Sequence, residues 1–121
     1  MKTIEIRVES LKDNFDKFKE IFKKVSSGEI TEKEEYISVS SIKDLNKLLT
    51  PKRIELLNYI KNHEVNSIKE LSEKLRRDYK NVYADIRLFK MLGIIKLERK
   101  NNNLIPKILY DELDIKIPLN I

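Results

Sequence analysis

Ser67-Ile68-Lys69-Glu70-Leu71, then Asp78-Tyr79-Lys80-Asn81-Val82-Tyr83-Ala84-Asp85-Ile86-Arg87-Leu88-Phe89, then Leu92-Gly93-Ile94-Ile95, decide how this chain folds. Ser67 with Glu70 three residues on is a capping box, in which hydroxyl and carboxylate each satisfy a backbone N–H at a helix start. Ile68, Leu71 and Leu75 follow as the buried face of a short helix. After a turn at Arg76-Arg77, Asp78 caps a second helix whose apolar positions are Val82, Ile86 and Phe89. Leu92 and Gly93 close it, because glycine takes the left-handed turn at little cost.

Upstream, Thr50 is a good N-cap and Pro51 is tolerated at the first helical position. A helix is therefore predicted from there to about Asn62, with Ile54, Leu57 and Ile60 on one face. Downstream, residues 94–98 and 104–110 read as two strands joined by Arg99-Lys100-Asn101-Asn102-Asn103. Asparagine tolerates left-handed turn conformations, and Pro106 lacks a backbone donor, which puts the second strand at an edge. Three short helices followed by a hairpin make the pattern of a winged helix-turn-helix. The expected fold class is α+β, a winged helix-turn-helix with an N-terminal strand and helix extension.

In that extension residues 3–8 alternate as a half-buried strand does. Ser10 precedes Leu11, Phe15, Phe18, Ile21, Phe22 and Val25, a helical stripe that stops at Ser26-Ser27-Gly28. These phenylalanines read as packing rather than a cofactor box, and a neutral amphipathic helix is a natural dimer contact. Residues 36–39 suggest a short strand, and Ser41 caps a short helix through Leu45, Leu48 and Leu49. The expected division is 1–49, a dimerisation or support extension, and 50–121, the DNA-binding domain with a C-terminal strand. Residues 113–119 also alternate, and one antiparallel register sets Ile4 against Ile117, Ile6 against Ile115, Val8 against Leu113, Glu5 against Lys116 and Arg7 against Asp114. The terminal strands are therefore expected to pair, within one chain or exchanged across a dimer.

Charge is unevenly spread. Residues 1–50 carry ten Lys/Arg and ten Asp/Glu, residues 51–110 fourteen and seven, and residues 111–121 one and three. A polyanion partner is thus expected at one region, where Lys and Arg can displace counterions from phosphates. The competing reading is a lysine-rich surface with no partner. With Val82, Ile86 and Phe89 inward, the helix over about 79–92 offers Lys80, Asn81, Tyr83, Ala84, Arg87 and Lys90. Lys and Arg suit guanine edges or phosphate, Asn suits adenine, and Ala permits close approach. The hairpin over about 94–110 is the wing, with Arg99 and Lys100 at its basic tip placed for phosphate or the minor groove. Arg77, at the turn, completes the expected DNA-binding set. Any one of these residues also reads as part of an ordinary solvated surface.

Other chemistries find little support. The absence of cysteine excludes disulfides, thiolate metal sites and cysteine nucleophiles. Glu29, Glu32, Glu34 and Glu35 alternate with Lys33 and Thr31 and lack a His or second acidic cluster at ligand spacing, so no metal is expected. His63, the only histidine, sits at a helix end as a capping or solvated residue, with no nucleophile paired to it by spacing. Both glycines are helix stops, so no phosphate-cradling loop or cofactor is expected. Apolar runs are short and no signal-peptide core is visible. A non-enzymatic, cytoplasmic, nucleoid-associated protein is expected, with no membrane contact.

Thr50-Pro51-Lys52-Arg53-Ile54-Glu55-Leu56-Leu57, Ser67-Ile68-Lys69-Glu70-Leu71, Arg77-Asp78-Tyr79-Lys80-Asn81-Val82-Tyr83-Ala84-Asp85 and Leu92-Gly93-Ile94-Ile95 resemble the archaeal predicted DNA-binding winged-helix regulators related to the MarR-like group. The resemblance extends over most of the chain and is most specific over residues 50–95. It implies a transcriptional regulator with its recognition helix at 79–92. The chain departs from the MarR-like pattern in lacking a long C-terminal dimerisation helix. Asp85 is also unlike a phosphate-facing residue; a structural pair with a nearby Arg is favoured over a cytosine contact, because phosphates would repel an unpaired acid.

The function expected is sequence-specific binding of double-stranded DNA by a homodimeric regulator. The alternative is a protein-interaction winged helix, such as an antitoxin or an accessory of the transcription machinery, since fold alone does not settle function. The basic helix face and wing discriminate between them, for a purely protein-binding version would not need either.

Overall fold

The computed structural model describes residues 1–9 and 36–119. The helix expected over 10–28 and the glutamates of 29–35 lie outside the described residues. In chain order the elements are β1 (Thr3–Val8), β2 (Tyr36–Val39), α1 (Ile42–Leu48), α2 (Pro51–Asn62), α3 (Ile68–Leu75), α4 (Tyr79–Met91), β3 (Ile95–Lys100), β4 (Asn103–Ile108) and β5 (Glu112–Lys116). They form two compact units, one of Met1–Thr3 with Leu49–Glu112 and one of Ile4–Leu48 with Leu113–Ile121.

The first unit is the winged helix-turn-helix. Helix α2 starts where the Thr50 hydroxyl accepts the Arg53 N–H at 3.2 Å, with Pro51 at a position that needs no donor. It buries Leu56, Leu57 and Ile60, whereas Ile54 is only half-buried. The inward stripe is thus rotated from the expected one toward Leu56, which is fully covered. Ser67 caps α3 through the Glu70 N–H at 3.0 Å, and Ile68 and Leu71 are buried as expected. Leu75 is half-buried, and Ser72 takes an inward place instead, its hydroxyl donating to the Lys69 carbonyl at 2.7 Å. That local bond lets a polar side chain sit inside a helical face.

Two left-handed residues bracket α4. Arg76 has φ 53°, and the Arg77 N–H closes on the Ser72 carbonyl at 3.0 Å. Gly93 has φ 80°, with Ile94 N–H on the Phe89 carbonyl at 2.9 Å and Gly93 N–H on the Lys90 carbonyl at 3.0 Å, a Schellman stop. The two ends carry opposite expectations. Gly93→Ala should lower stability by about 1 kcal/mol, since a Cβ there meets nothing within 4 Å and only backbone strain opposes it. Arg76→Gly should raise stability by up to about 1 kcal/mol on the same grounds. Urea unfolding of both variants checks the pair, and shifts of the same sign would contradict this account of the turns.

Strands β3 and β4 are antiparallel from Ile95↔Ile108 to Lys100↔Asn103. Asn101 (φ 50°) and Asn102 (φ 67°) make a two-residue turn with positive φ at both centres, the type I′ geometry that matches strand twist. The connection is therefore shorter than the five residues expected, and Arg99 and Lys100 belong to β3. Pro106 lies opposite Leu97 and is fully buried. Helices α2 and α3 pack on β4, and α4 packs on β3. Val82, Ile86 and Phe89 are fully buried at the centre of this core, as their spacing predicts.

The second unit holds a three-stranded sheet in the order β2-β1-β5. Strand β1 runs parallel to β2 with Ile6↔Ile37 and Val8↔Val39, and Ile4, Ile6, Val8 and Ile37 are buried. Helix α1, capped by Ser41 through the Asp44 N–H at 3.1 Å, packs on β2 and buries Leu45 and Leu48.

The terminal strands do pair, within one chain, since β5 neighbours β1. Their direction corrects the expected register. The Asp111 N–H reaches the Lys2 carbonyl at 2.7 Å just before both strands, and Arg7, Val8 and Glu9 line one hollow with Lys116, Ile117 and Pro118 at their far ends. The strands therefore run in parallel, which the antiparallel pairing of Ile4 with Ile117 does not allow. The physical reason is that alternating charge reads alike in both directions: Glu5 still meets Lys116, at 3.2 Å. Leu113–Lys116 of β5 fall in the second compact unit and Glu112 in the first.

Candidate nucleic-acid interface

Helix α4 positions most of the expected site. Asp78 caps it by accepting the Lys80 N–H at 2.9 Å. Lys80, Asn81, Ala84, Arg87 and Lys90 are exposed, on the side away from Val82, Asp85, Ile86 and Phe89. Tyr83 is half-buried; its ring stacks on Tyr79 with centroids 5.9 Å apart, and the Arg87 guanidinium lies 6.0 Å from the Tyr83 centroid. Tyr79, Tyr83 and Arg87 thus form one i, i+4, i+8 row, a spacing that puts side chains on a common helix edge. A cation placed over an aromatic face is attracted to it, which favours the charged Arg87 beside Tyr83.

Asp85 is the only carboxylate within α4. It turns inward: its Oδ1 accepts from Arg53 Nε at 3.0 Å and its Oδ2 from Arg77 Nη2 at 2.8 Å, with the residue 6% exposed. The structural pairing favoured for Asp85 is the one found, with two arginines rather than one. The outward surface of α4 is left with Lys80, Arg87 and Lys90 and no acid.

Arg77 stands apart from the other expected contacts. Its side chain is 14% exposed, its Nη2 is on Asp85 and its Nη1 is buried without a hydrogen-bond partner. The inward acid draws this guanidinium under the helix-turn-helix bend rather than onto an open face. Arg99 and Lys100 are exposed at the turn end of β3, across from Leu104 and Asn103.

Residues that the sequence reasoning left out join this surface. Tyr79 is 47% exposed and Met91 77% exposed, at opposite ends of α4. The row of Tyr79, Tyr83 and Arg87 was legible from spacing alone. On the hairpin, Lys96 and Lys107 are direct cross-strand partners, a like-charge pairing that is unfavourable without a counter-ion. Glu98 supplies one charge, 2.9 Å from Lys96, whose ammonium holds the Glu98 carboxyl below the usual range. Lys61, by contrast, is occupied by Asp111 at 2.7 Å, and Lys61 followed by the Lys2 backbone N–H lowers the Asp111 pKa.

His63 ends α2 as its C-cap, stacked on Tyr59 with centroids 4.0 Å apart and its Nδ1 3.1 Å from the Tyr59 carbonyl. Among the described residues no group of three or more His, Asp or Glu is gathered to hold a metal, and no helix is long and apolar enough to cross a membrane.

Solved structures similar to this chain are winged helices. A predicted DNA-binding transcriptional regulator from E. coli superposes with a TM-score of 0.50 at 18% identity, over 58% of this chain and 75% of that one. A homodimeric winged helix-turn-helix DNA-binding domain from Mycobacterium bovis, a possible ArsR-family transcriptional regulator, gives 0.47 at 15% identity over 55% of this chain. The match spans 62% of that domain's length. The multiple antibiotic-resistance repressor MarR from Listeria monocytogenes gives 0.45 at 18% identity, over 84% of this chain and 65% of that one. No curated protein matches the chain in sequence. The family model HVO_A0114 matches residues 48–115, more than half of the 121, and takes in α2, α3, α4 and the hairpin: the chain belongs to the HVO_A0114 family.

Proposed function

We propose that this protein is a sequence-specific DNA-binding transcriptional regulator that acts as a homodimer in the cytoplasm. Helix α4 enters the major groove, and the β3–β4 hairpin lies against the phosphate backbone or in the adjacent minor groove. One observation carries this reading: the single acid of α4 is buried between two arginines, so the helix turns an acid-free face with two lysines and an arginine outward. A duplex repels an exposed carboxylate and rewards each ammonium or guanidinium brought to its phosphates. Lys80, Ala84 and Arg87 share the outermost line of that face, with Asn81 on one flank and Tyr83 and Lys90 on the other. A groove about 12 Å wide admits such a helix, and base edges are read there by Arg and Asn.

The wing supplies a separable test. Changing Arg99→Ala together with Lys100→Ala should weaken binding to all duplexes similarly and reduce the log–log salt slope by about 0.9 for each phosphate no longer neutralised. Fluorescence anisotropy with a labelled duplex at four or more salt concentrations measures both quantities. A slope equal to that of the unaltered protein would remove the hairpin from the interface. Failure of the unaltered protein to bind any duplex at low salt would favour a protein-interaction role for the fold.

A further inference from the structure

The outer edge of β5 carries a pattern that matches itself. Strand β5 ends the order β2-β1-β5, so one side of its backbone is left without a neighbouring strand among the described residues. Leu113 is half-buried, while Ile115 (36%) and Ile117 (41%) are large apolar side chains open to solvent. Edge strands present unpaired N–H and C=O groups, and soluble proteins usually blunt them with charge or proline. Here the charges Asp114 and Lys116 alternate with the apolar residues, and Pro118 follows.

We propose that β5 pairs antiparallel with β5 of a second copy of this chain, about a two-fold axis at Ile115, joining two three-stranded sheets into one of six strands. The registers open to a two-fold pairing are few, because a shift by one residue would set apolar side chains against charged ones. An axis at Asp114 sets acid on acid, and an axis at Lys116 sets lysine on lysine. With the axis at Leu113, Glu112 meets Asp114. The axis at Ile115 alone sets Asp114 against Lys116 of the partner subunit, twice, with Leu113 against Ile117 of the partner subunit and Ile115 against the partner subunit's Ile115. Each of these cross-strand matches is of a stabilising kind. Pro118, which has no N–H, then stops the ladder at Glu112, a natural end to the pairing. At the other end of the strand order among the described residues, β2 is a four-residue Tyr-Ile-Ser-Val strand with no charge pair to select a register. The inference rests on the homodimer of the proposed function and assigns its interface, and it does not depend on DNA reading.

The chain's lack of cysteine permits a direct test on the full-length protein. Residues directly opposite in an antiparallel pair lie about 4.5 to 5.5 Å apart at Cα, within disulfide range. Ile115→Cys should therefore form a covalent dimer under mild oxidation at micromolar protein. Lys116→Cys alone should not, whereas Lys116→Cys mixed with Asp114→Cys should give the mixed dimer. By sedimentation equilibrium, Asp114→Lys should loosen the dimer about tenfold or more, because both ion pairs become repulsive, and Asp114→Lys with Lys116→Asp should restore it. A protein monomeric throughout the micromolar range would overturn the proposal. So would a dimer in which Ile115→Cys stays uncrosslinked and Asp114→Lys has no effect.

Discussion

Replacing Asp85 with alanine is expected to cost about 3 kcal/mol or more of folding stability. The carboxylate is 6% exposed and bonds side-chain nitrogens of both Arg53 and Arg77. Removing one member of a buried ion network leaves the others charged and desolvated, a change worth about 3–5 kcal/mol where solvent cannot reach them. Arg77, 14% exposed and with a second nitrogen already unpartnered, has little route to water, while Arg53 at 26% has more. The expected loss therefore falls at the lower end of that range. Asp85→Asn should lose less, because an amide oxygen still accepts one of the two bonds. Chemical denaturation of both variants decides it; a loss under about 1 kcal/mol for Asp85→Ala would mean that the network is effectively solvated. Because the same acid ties α4 to α2 and to the preceding turn, the variant should also bind DNA more weakly through a misplaced helix.

The second large effect concerns discrimination. Asn81→Ala with Arg87→Ala should reduce the preference for the best site over random duplex by about 2 kcal/mol or more, since each good base contact is worth about 1–3 kcal/mol. Both side chains lie on the exposed part of α4, and the Arg87 guanidinium is 6.0 Å from the Tyr83 ring centroid. Affinity for specific and random duplexes, measured at one fixed salt concentration, gives the ratio directly. Equal losses on both would reassign these two residues to phosphate contacts, and no loss on either would take them out of the interface.

Much of the first unit was legible because its signals are local. Thr50, Ser67 and Asp78 cap their helices as side-chain chemistry predicts, and Gly93 stops α4. Val82, Ile86 and Phe89 are the core of α4 because three apolar residues at helical spacing have one face in common. What local pattern could not supply was the choice among equivalent neighbours. Leu56 and Ile54 both suit the inner face of α2, and only packing against other elements selects Leu56. Arg77 and Arg87 look alike as residue types; the acid eight residues from one of them draws it inward, while the other is exposed near a tyrosine ring. The hairpin turn was placed correctly but drawn too long, since three asparagines in a row do not mark which two adopt positive φ. The pairing of the chain termini followed from matched alternation, yet its direction did not, because a short strand with charges of both signs satisfies β1 in either sense.

Selection from a random double-stranded DNA pool tests most directly whether the acid-free face of α4 reads base sequence. Repeated rounds with the full-length protein at about 0.15 M salt should enrich a defined sequence, and the enrichment should fade when Asn81 and Arg87 are both alanine. Recovery of a pool as random as the starting one, with the unaltered protein folded and active in salt-sensitive binding, would contradict sequence reading by this helix.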